Sequence, residues 1–329
     1  MTRFGFCAPI FAGAGDAHPR TPLVEKVDYD QLEQAVQLAE SLGYDSVWVA
    51  DHLILGREGA ILEGWTVMAA LARVTSSMRL GSIHFANRFR EPTVTAKMVA
   101  TLDFLSKGRV DFFFDAYAGQ RADADAYGLH VSGEDESFDR FEEALDLIEL
   151  MWREDKPTHK GKYYVADDAI CTPRPAQSHV PLWIGTSGNA APQRASRVND
   201  IISRRADWWN ITPASLAATG AALDGLKAAC TKNKTDYGAI RKSLETQILI
   251  ADSESALKAM QERIVGANPK YGDWKELSER FVIGDVKTVS RRLRDYADLG
   301  IECFMFWFMD YPSTDGMRLF AEKVMPDFQ

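Results

Sequence analysis

The chain has 329 residues, 46% hydrophobic and 26% charged, with 23 Gly and 13 Pro. These globular proportions exclude disordered, collagen-like and low-complexity chains, and the length allows a core that needs no staples. A formal charge of −9, from 38 Lys and Arg against 47 Asp and Glu, argues against a nucleic-acid or anionic-membrane partner, since each needs a basic face.

Cys7, Cys171, Cys230 and Cys303 lie far apart and form no CxxC pair, so free buried thiols of a reducing compartment are expected. The opening MTRFGFCAPIF lacks the basic region, long apolar stretch and cleavage site of a signal peptide. No stretch reaches the roughly 20 apolar residues that a membrane helix needs. The expectation is a soluble cytoplasmic protein.

The predicted elements alternate. A strand over Arg3–Phe11 leads into a long loop, Ala12 to Lys26, with Gly13, Gly15, Pro19 and Pro22. A helix over Tyr29–Leu42 follows, with Leu32, Ala35, Val36 and Ala39 at helical spacing and a stop at Gly43. Strands come next at Ser46–Asp51 and Arg79–Phe85, then a helix at Thr93–Leu105, a strand at Val110–Ala116 and a helix at Ser137–Trp152. Lys160-Gly161-Lys162 reads as a hairpin turn before Tyr163-Tyr164-Val165. Strands at Pro181–Gly185 and Asp207–Ile211, a helix at Leu216–Cys230, a strand at Glu245–Ala251 and a helix at Ser255–Val265 follow. Gly266–Glu279 reads as a polar insertion, and a helix at Val289–Leu299 and a strand at Cys303–Met309 end the pattern.

Most of these strands are continuous apolar runs, as parallel strands covered on both faces are. Eight of them alternating with helices predict one domain over residues 1–329, an α/β (β/α)8 TIM barrel with insertions at its C-terminal face. No GxGxxG opens a helix after the first strand, which disfavours an open dinucleotide fold.

Barrel sites lie at the C-terminal ends of strands. His52 follows Val47-Trp-Val-Ala50 at such an end, and its ring can titrate near neutrality with the Asp51 carboxylate beside it to orient it. The bland alternative is a histidine that satisfies a loop carbonyl. His84 lies in the third strand and reads as either a ligand contact or a satisfied core histidine. Asn87 and Arg88 end that strand nearer the mouth. Gly185-Thr186-Ser187-Gly188 offers backbone N–H groups and two hydroxyls before a helix, a phosphate or carboxylate cradle, or else a plain N-cap. Arg140, near Glu142 and Glu143, reads first as an ion-paired surface arginine. Glu134-Asp-Glu136 reads as an acidic helix start. No HExxH, His/Cys cluster or GxSxG elbow is present, so no catalytic metal is expected.

Taken in order, several segments resemble the bacterial luciferase-like flavin monooxygenase superfamily over almost the whole chain. They are Gly43-Tyr-Asp-Ser-Val-Trp-Val-Ala-Asp-His52, Glu63-Gly-Trp65, Ala96 to Arg109, Phe138–Trp152, Gly161-Lys-Tyr-Tyr164, Pro173-Arg-Pro-Ala-Gln177, Pro181-Leu-Trp-Ile-Gly185 and Val282-Ile-Gly284. The resemblance implies a barrel that binds a flavin, or the deazaflavin F420, at its C-terminal mouth. It makes His52 the active-site histidine, Thr186, Ser187 and Arg140 phosphate contacts, and Ile83-His84 a region where relatives often carry a non-prolyl cis peptide behind the ring. In one departure, Tyr117 stands near where luciferases place another phosphate-binding arginine, and Arg121 or the Tyr117 hydroxyl takes its place.

The reading that follows is a two-component monooxygenase. It takes reduced flavin mononucleotide (FMNH2) from a separate NAD(P)H:flavin reductase and uses O₂ to oxygenate a small organic substrate, and it forms a homodimer. The runner-up within the superfamily is F420-dependent hydride transfer; the acidic chain offers no basic run for an oligoglutamate tail, which tips the reading to FMN. Outside enzymes, the alternative is a non-catalytic flavin-binding protein. Trp65, Trp208, Trp209, Phe306, Trp307 and Phe308 are candidates to dry the mouth. Arg20, Arg57, Arg88, Arg90, Arg204 and Arg205 are candidates to seat an anionic substrate such as a sulfonate.

Overall fold

A computed structural model describes residues 2–13, 19–116, 121–186 and 191–328. Eight parallel strands close on themselves: β1 (Arg3–Cys7), β2 (Ser46–Ala50), β3 (Arg79–Ile83), β4 (Val110–Asp115), β5 (Leu182–Thr186), β6 (Trp208–Ile211), β7 (Arg241–Ala251) and β8 (Cys303–Phe308). Each pairs with the next, and β8 pairs with β1. The chain is a (β/α)8 barrel, as the alternation of apolar runs and amphipathic segments predicts.

The helices around it are α1 (Tyr29–Ser41), α2 (Gly64–Val74), α3 (Pro92–Ser106), α4 (Arg121–Ala126), α5 (Glu134–Arg153), α6 (Pro192–Arg205), α7 (Leu216–Asn233), α8 (Glu254–Ala267), α9 (Trp274–Arg280), α10 (Val286–Asp298) and α11 (Asp315–Lys323). Caps set their starts: Asp28 accepts from the Gln31 N–H and Ser215 from the Ala218 N–H. Lys107, in the left-handed region, ends α3 just before Gly108. The stretch 266–279 is not irregular. Asp273 caps α9, and Tyr271, Phe281 and Ile264 bury one face of this region against Leu249, Ile283 and Met309. Its Gly and Pro residues mark joints between short helices. The strand Val282–Asp285 extends the sheet along the end of β7.

Alternation divides each strand between core layers. Phe4, Phe306 and Phe308 face outward, where Phe320 of α11 packs against them at centroid distances of 5.1, 5.0 and 6.4 Å. The opposite faces fill the barrel. The Trp48 ring lies edge-on to Trp183 at 4.8 Å, and Gly81 makes room for it: a Cβ there would stand 2.2 Å from Trp48 Cζ3. Nearer the N-terminal end, Trp183 stacks on Trp208 at 4.2 Å, Arg241 covers Trp208, and Arg79 pairs with Asp111 at 2.8 Å. The barrel is thus plugged from below, and a ligand can enter only at the C-terminal mouth.

The four cysteines are buried and free. No helix among the described residues is long and apolar enough to cross a membrane. The loop after β1 folds back on itself, with the Gly13 N–H donating to Val24 and the Thr21 hydroxyl to Gly13. The predicted hairpin forms as His159–Lys160 against Val165–Ala166.

Candidate active site

His52 leaves the end of β2 with its Nδ1 3.2 Å from Oδ2 of Asp123 on α4. The same oxygen accepts the Leu53 and Ile54 N–H groups at 3.1 and 3.4 Å. Asp123 is 1% exposed, whereas the His52 side chain is 22% exposed. A carboxylate acceptor places the ring proton on Nδ1 and leaves the Nε2 lone pair for a ligand. Burial lowers the His52 pKa below its ordinary value, and the Asp123 charge and hydrogen bond oppose that shift without cancelling it. The shift favours the neutral ring, whose Nε2 carries the free lone pair.

Asp51 has a different role from the expected one. Its carboxylate receives Arg90 in a two-pronged pair at 2.8 Å on each oxygen and accepts the Ala86 N–H at 2.9 Å. Arg90 also meets Glu63 at 2.7 Å, and Glu63 caps α2 through the Trp65 and Thr66 N–H groups. Burial alone would lower the Arg90 pKa, but the bonds and charges of Asp51 and Glu63 raise it instead. Asp51 thus ties β2 to the end of β3, while Asp123 orients His52. Sequence adjacency pointed to the wrong carboxylate, because successive residues at a strand end point to opposite sides.

His84 follows a cis Ile83–His84 peptide, at the position the resemblance implied. Its Nδ1 lies 3.2 Å from Asp115 Oδ2 and its ring 4.4 Å from that of Phe113. Its Nε2 is buried with no hydrogen-bond partner among the described residues. Gly185 faces it: a Cβ there would stand 3.0 Å from Phe113 Cζ and 3.6 Å from His84 Nε2. A bare glycine wall beside an unmet ring nitrogen suits a flat ligand ring with hydrogen-bonding edges. Thr186 is buried at the end of β5. Tyr117, Ser187 and Gly188 lie outside the described residues.

A cleft of about 300 Å³ opens beside this wall, lined by residues that include Asn87, Arg88, His130, Ser132, Ser137, Arg140 and Tyr164. The Arg140 guanidinium sits 4.5 Å from the Tyr163 ring centroid and pairs with Glu136 at 2.7 Å, one helical turn back, rather than with Glu142 or Glu143. Glu143 instead accepts the backbone N–H groups of Lys162, Tyr163 and Tyr164, which fixes the hairpin against α5. Tyr164 is thereby held where its hydroxyl accepts from Asn87 Nδ2 at 3.2 Å, and Asn87 Oδ1 has no partner among the described residues. Cations and hydroxyls gathered at the start of α5 suit a phosphate.

Of the arginines expected to seat an anionic substrate, Arg88 and Arg90 line this cleft, whereas Arg204 and Arg205 lie away from it. Arg204 and Arg205 end α6, which runs back from the mouth, and pair with Glu142, Asp200, Asp146 and Glu149. Arg90 is held by Asp51 and Glu63, and Arg20 lies 3.6 Å from Glu245. Of the aromatic candidates, Phe306 and Phe308 face outward and Trp208 lies at the far end of the barrel. Trp307 faces inward, where its Nε1 donates to Glu245 at 2.7 Å.

A (β/α)8 barrel with a histidine–carboxylate pair after β2 and a polar cleft by α5 defines an enzyme scaffold with its candidate site at the C-terminal mouth. Residues 2–303 match the luciferase-like monooxygenase family, and the chain belongs to that family of oxidoreductases. It is 27% identical over 313 residues to an F420-dependent glucose-6-phosphate dehydrogenase of Microbacterium testaceum, covering 88% of this chain and 90% of that protein. It is 35% identical over 179 residues to the protein of the same name from Amycolatopsis mediterranei, covering 52% of this chain and 51% of that one. Among solved structures, an F420-dependent secondary alcohol dehydrogenase in complex with an F420-acetone adduct superposes with a TM-score of 0.77 at 18% identity, covering 100% of this chain and 99% of that one; at that identity the likeness speaks for the fold.

The two dehydrogenase relatives overturn the expectation of an FMNH2-dependent monooxygenase and favour F420. Net charge is a weak guide to such a ligand, because anionic groups meet local donors rather than the mean charge of a chain. Arg88, His130 and Arg140 gather at one cleft of an acidic chain.

Proposed function

We propose that this protein is an F420-dependent oxidoreductase that exchanges a hydride with a small alcohol or carbonyl substrate. The observation that carries the reading is the His52–Asp123 pair: a neutral, oriented imidazole at a barrel mouth whose relatives are named F420-dependent dehydrogenases. The residues fit the coenzyme. His84 Nε2 and Gly185 offer a ring wall with an unmet polar atom, and Arg140, Ser132, Ser137 and Tyr164 line a cleft that offers donors to a phosphate.

Bound F420 supplies the two-electron acceptor for the hydride that leaves the substrate carbon. His52 takes the alcohol proton at Nε2 as the carbonyl forms, and returns it in the reverse direction. Asp123 holds Nδ1–H and stabilises the imidazolium that results. The packed interior of Trp48, Phe113 and Trp183 keeps water from entering below. The relatives' named substrate, glucose 6-phosphate, is the first compound to assay.

Anaerobic fluorescence titration with F420, alongside titration with reduced FMN, tests the reading. Tight F420 binding and substrate-dependent loss of F420 absorbance are expected. Binding of reduced FMN without F420 binding would overturn it.

A further inference from the structure

In an eight-stranded barrel β7 stands across from β3, so the mouth has a wall facing His84. Along β7 the inward positions can be followed in steps of two. Ser243 meets Asn210 inside the barrel at 2.9 Å. Glu245, 2% exposed, accepts from Trp307 Nε1. Gln247 comes next, level with Trp307 in the strand register. It is fully buried, and neither its Oε1 nor its Nε2 has a hydrogen-bond partner among the described residues.

A buried primary amide with both ends unmet destabilises a fold unless something meets it. Hydrophobic side chains suit a strand interior, and β7 has them at Leu244, Ile248 and Leu249. The unmet amide therefore points to a ligand contact. Its neighbours define the ligand's chemistry. Arg20 Nε lies 3.6 Å from Glu245, and its guanidinium lies 5.9 Å from the Trp307 ring centroid, so the charges of this wall offset one another. A charge-balanced wall that presents one amide acceptor and one amide donor matches a hydroxyl or carbonyl oxygen better than a phosphate or sulfonate.

We infer that Gln247 is a specificity residue that hydrogen-bonds a second oxygen function of the substrate, apart from the oxygen served by His52. The protein then prefers polyhydroxylated and hydroxy-carbonyl compounds to simple alcohols. This rests on the hydride-transfer reading above. A site built around a substrate hydroxyl rejects the analogue that lacks it far more strongly than an apolar pocket rejects a missing methylene.

The probes are cyclohexanol and the isomeric cyclohexane-1,2-, 1,3- and 1,4-diols, which differ only in the second hydroxyl and its distance. Binding is read by calorimetry on the full chain with and without F420, and turnover by F420 absorbance. At least one diol is expected to bind 10-fold or more tighter than cyclohexanol. Gln247→Met should abolish that preference, leave the F420 affinity unchanged and melt no lower than the parent, since it removes two unmet polar groups. Gln247→Asn, which keeps the amide but shortens its reach, should weaken the preference and covers a failure of the first variant to fold. Equal binding of all four probes, no binding of any, or a preference retained in both variants overturns the proposal. Failure of F420 to bind the parent instead overturns the hydride-transfer reading, and the calorimetry without F420 still decides the role of Gln247.

Discussion

His52 Nδ1 and Asp123 Oδ2 lie 3.2 Å apart, although 71 residues separate them in sequence. The contact joins the loop after β2 to the loop after β4 and sets both the tautomer and the charge preference of the ring. His52→Ala should lower kcat by roughly 100- to 10,000-fold, the range for a positioned acid–base group, with F420 affinity nearly unchanged. Asp123→Asn keeps the shape but removes a charge that raises the His52 pKa. The rise of alcohol oxidation with pH, which follows deprotonation of His52, should therefore move to lower pH. A pH–rate profile unchanged in Asp123→Asn would separate His52 from the proton transfer.

Arg140 supplies the test of the phosphate cleft. Arg140→Gln removes a charged donor, and a hydrogen bond to a charged group contributes roughly 1.5–3 kcal/mol. The F420 Kd should rise by about 10- to 150-fold. The phosphate-free deazaflavin chromophore should bind parent and variant alike. Equal losses for both ligands, measured by fluorescence titration, would place the phosphate elsewhere.

The contrast between Asp51 and Asp123 shows what the sequence made legible. Strand and helix identity rests on local periodicity, so Val47-Trp-Val-Ala50 and Leu32, Ala35, Val36 and Ala39 declared themselves. The placement of His52 followed from a strand end in a barrel, whereas His84 read only as a strand residue that either meets a ligand or is satisfied in the core. The carboxylate partner of His52 did not follow, because nothing in Arg121-Ala-Asp-Ala-Asp-Ala126 says which aspartate turns inward. Gln247 sits where a polar half-strand, Ser243-Leu-Glu-Thr246, meets the apolar Ile248-Leu-Ile250, and it reads as one more strand residue until its missing partners are seen. Arg204 and Arg205 were misplaced because α6 carries its C-terminal end away from the mouth, which a list of basic residues does not reveal.

Glu40 links α1 to the turn before β3. Its carboxylate accepts the N–H groups of Ser76, Ser77 and Met78 at 2.8, 2.6 and 3.0 Å. Burial would raise its pKa, but these backbone donors outweigh burial and hold it at about 2. A depressed carboxylate stabilises the fold above its unfolded value and loses that contribution as pH falls toward the folded one. Glu40→Gln should cost about 1 kcal/mol at pH 7, measured by urea denaturation. The difference from the parent should shrink below pH ~4.5. A difference that stays constant down to the acid limit of folding would mean that the carboxylate charge contributes nothing.

Asp310 gives the opposite sign. It follows β8, is 3% exposed, and accepts the Gly316 N–H at 2.9 Å through Oδ2, while Oδ1 is buried without a partner among the described residues. Burial pushes its pKa up to about 6, only partly offset by the Gly316 bond. In the unfolded chain an aspartate ionises near pH ~4. Between those values the folded state binds the extra proton, so stability falls as pH rises from ~4 to ~6 and then levels off. The charged form above that range costs up to roughly 3 kcal/mol relative to the neutral one. Asp310→Asn keeps an acceptor for the Gly316 N–H and removes the charge. It should therefore match the parent near pH 4 and exceed it in stability at pH 7.5, the gap opening between those limits. Urea denaturation at a series of pH values measures this directly. A gap of the same size at pH 4 and pH 7.5 would show that the substitution acts through packing, and that the Asp310 carboxylate is not the buried acid described here.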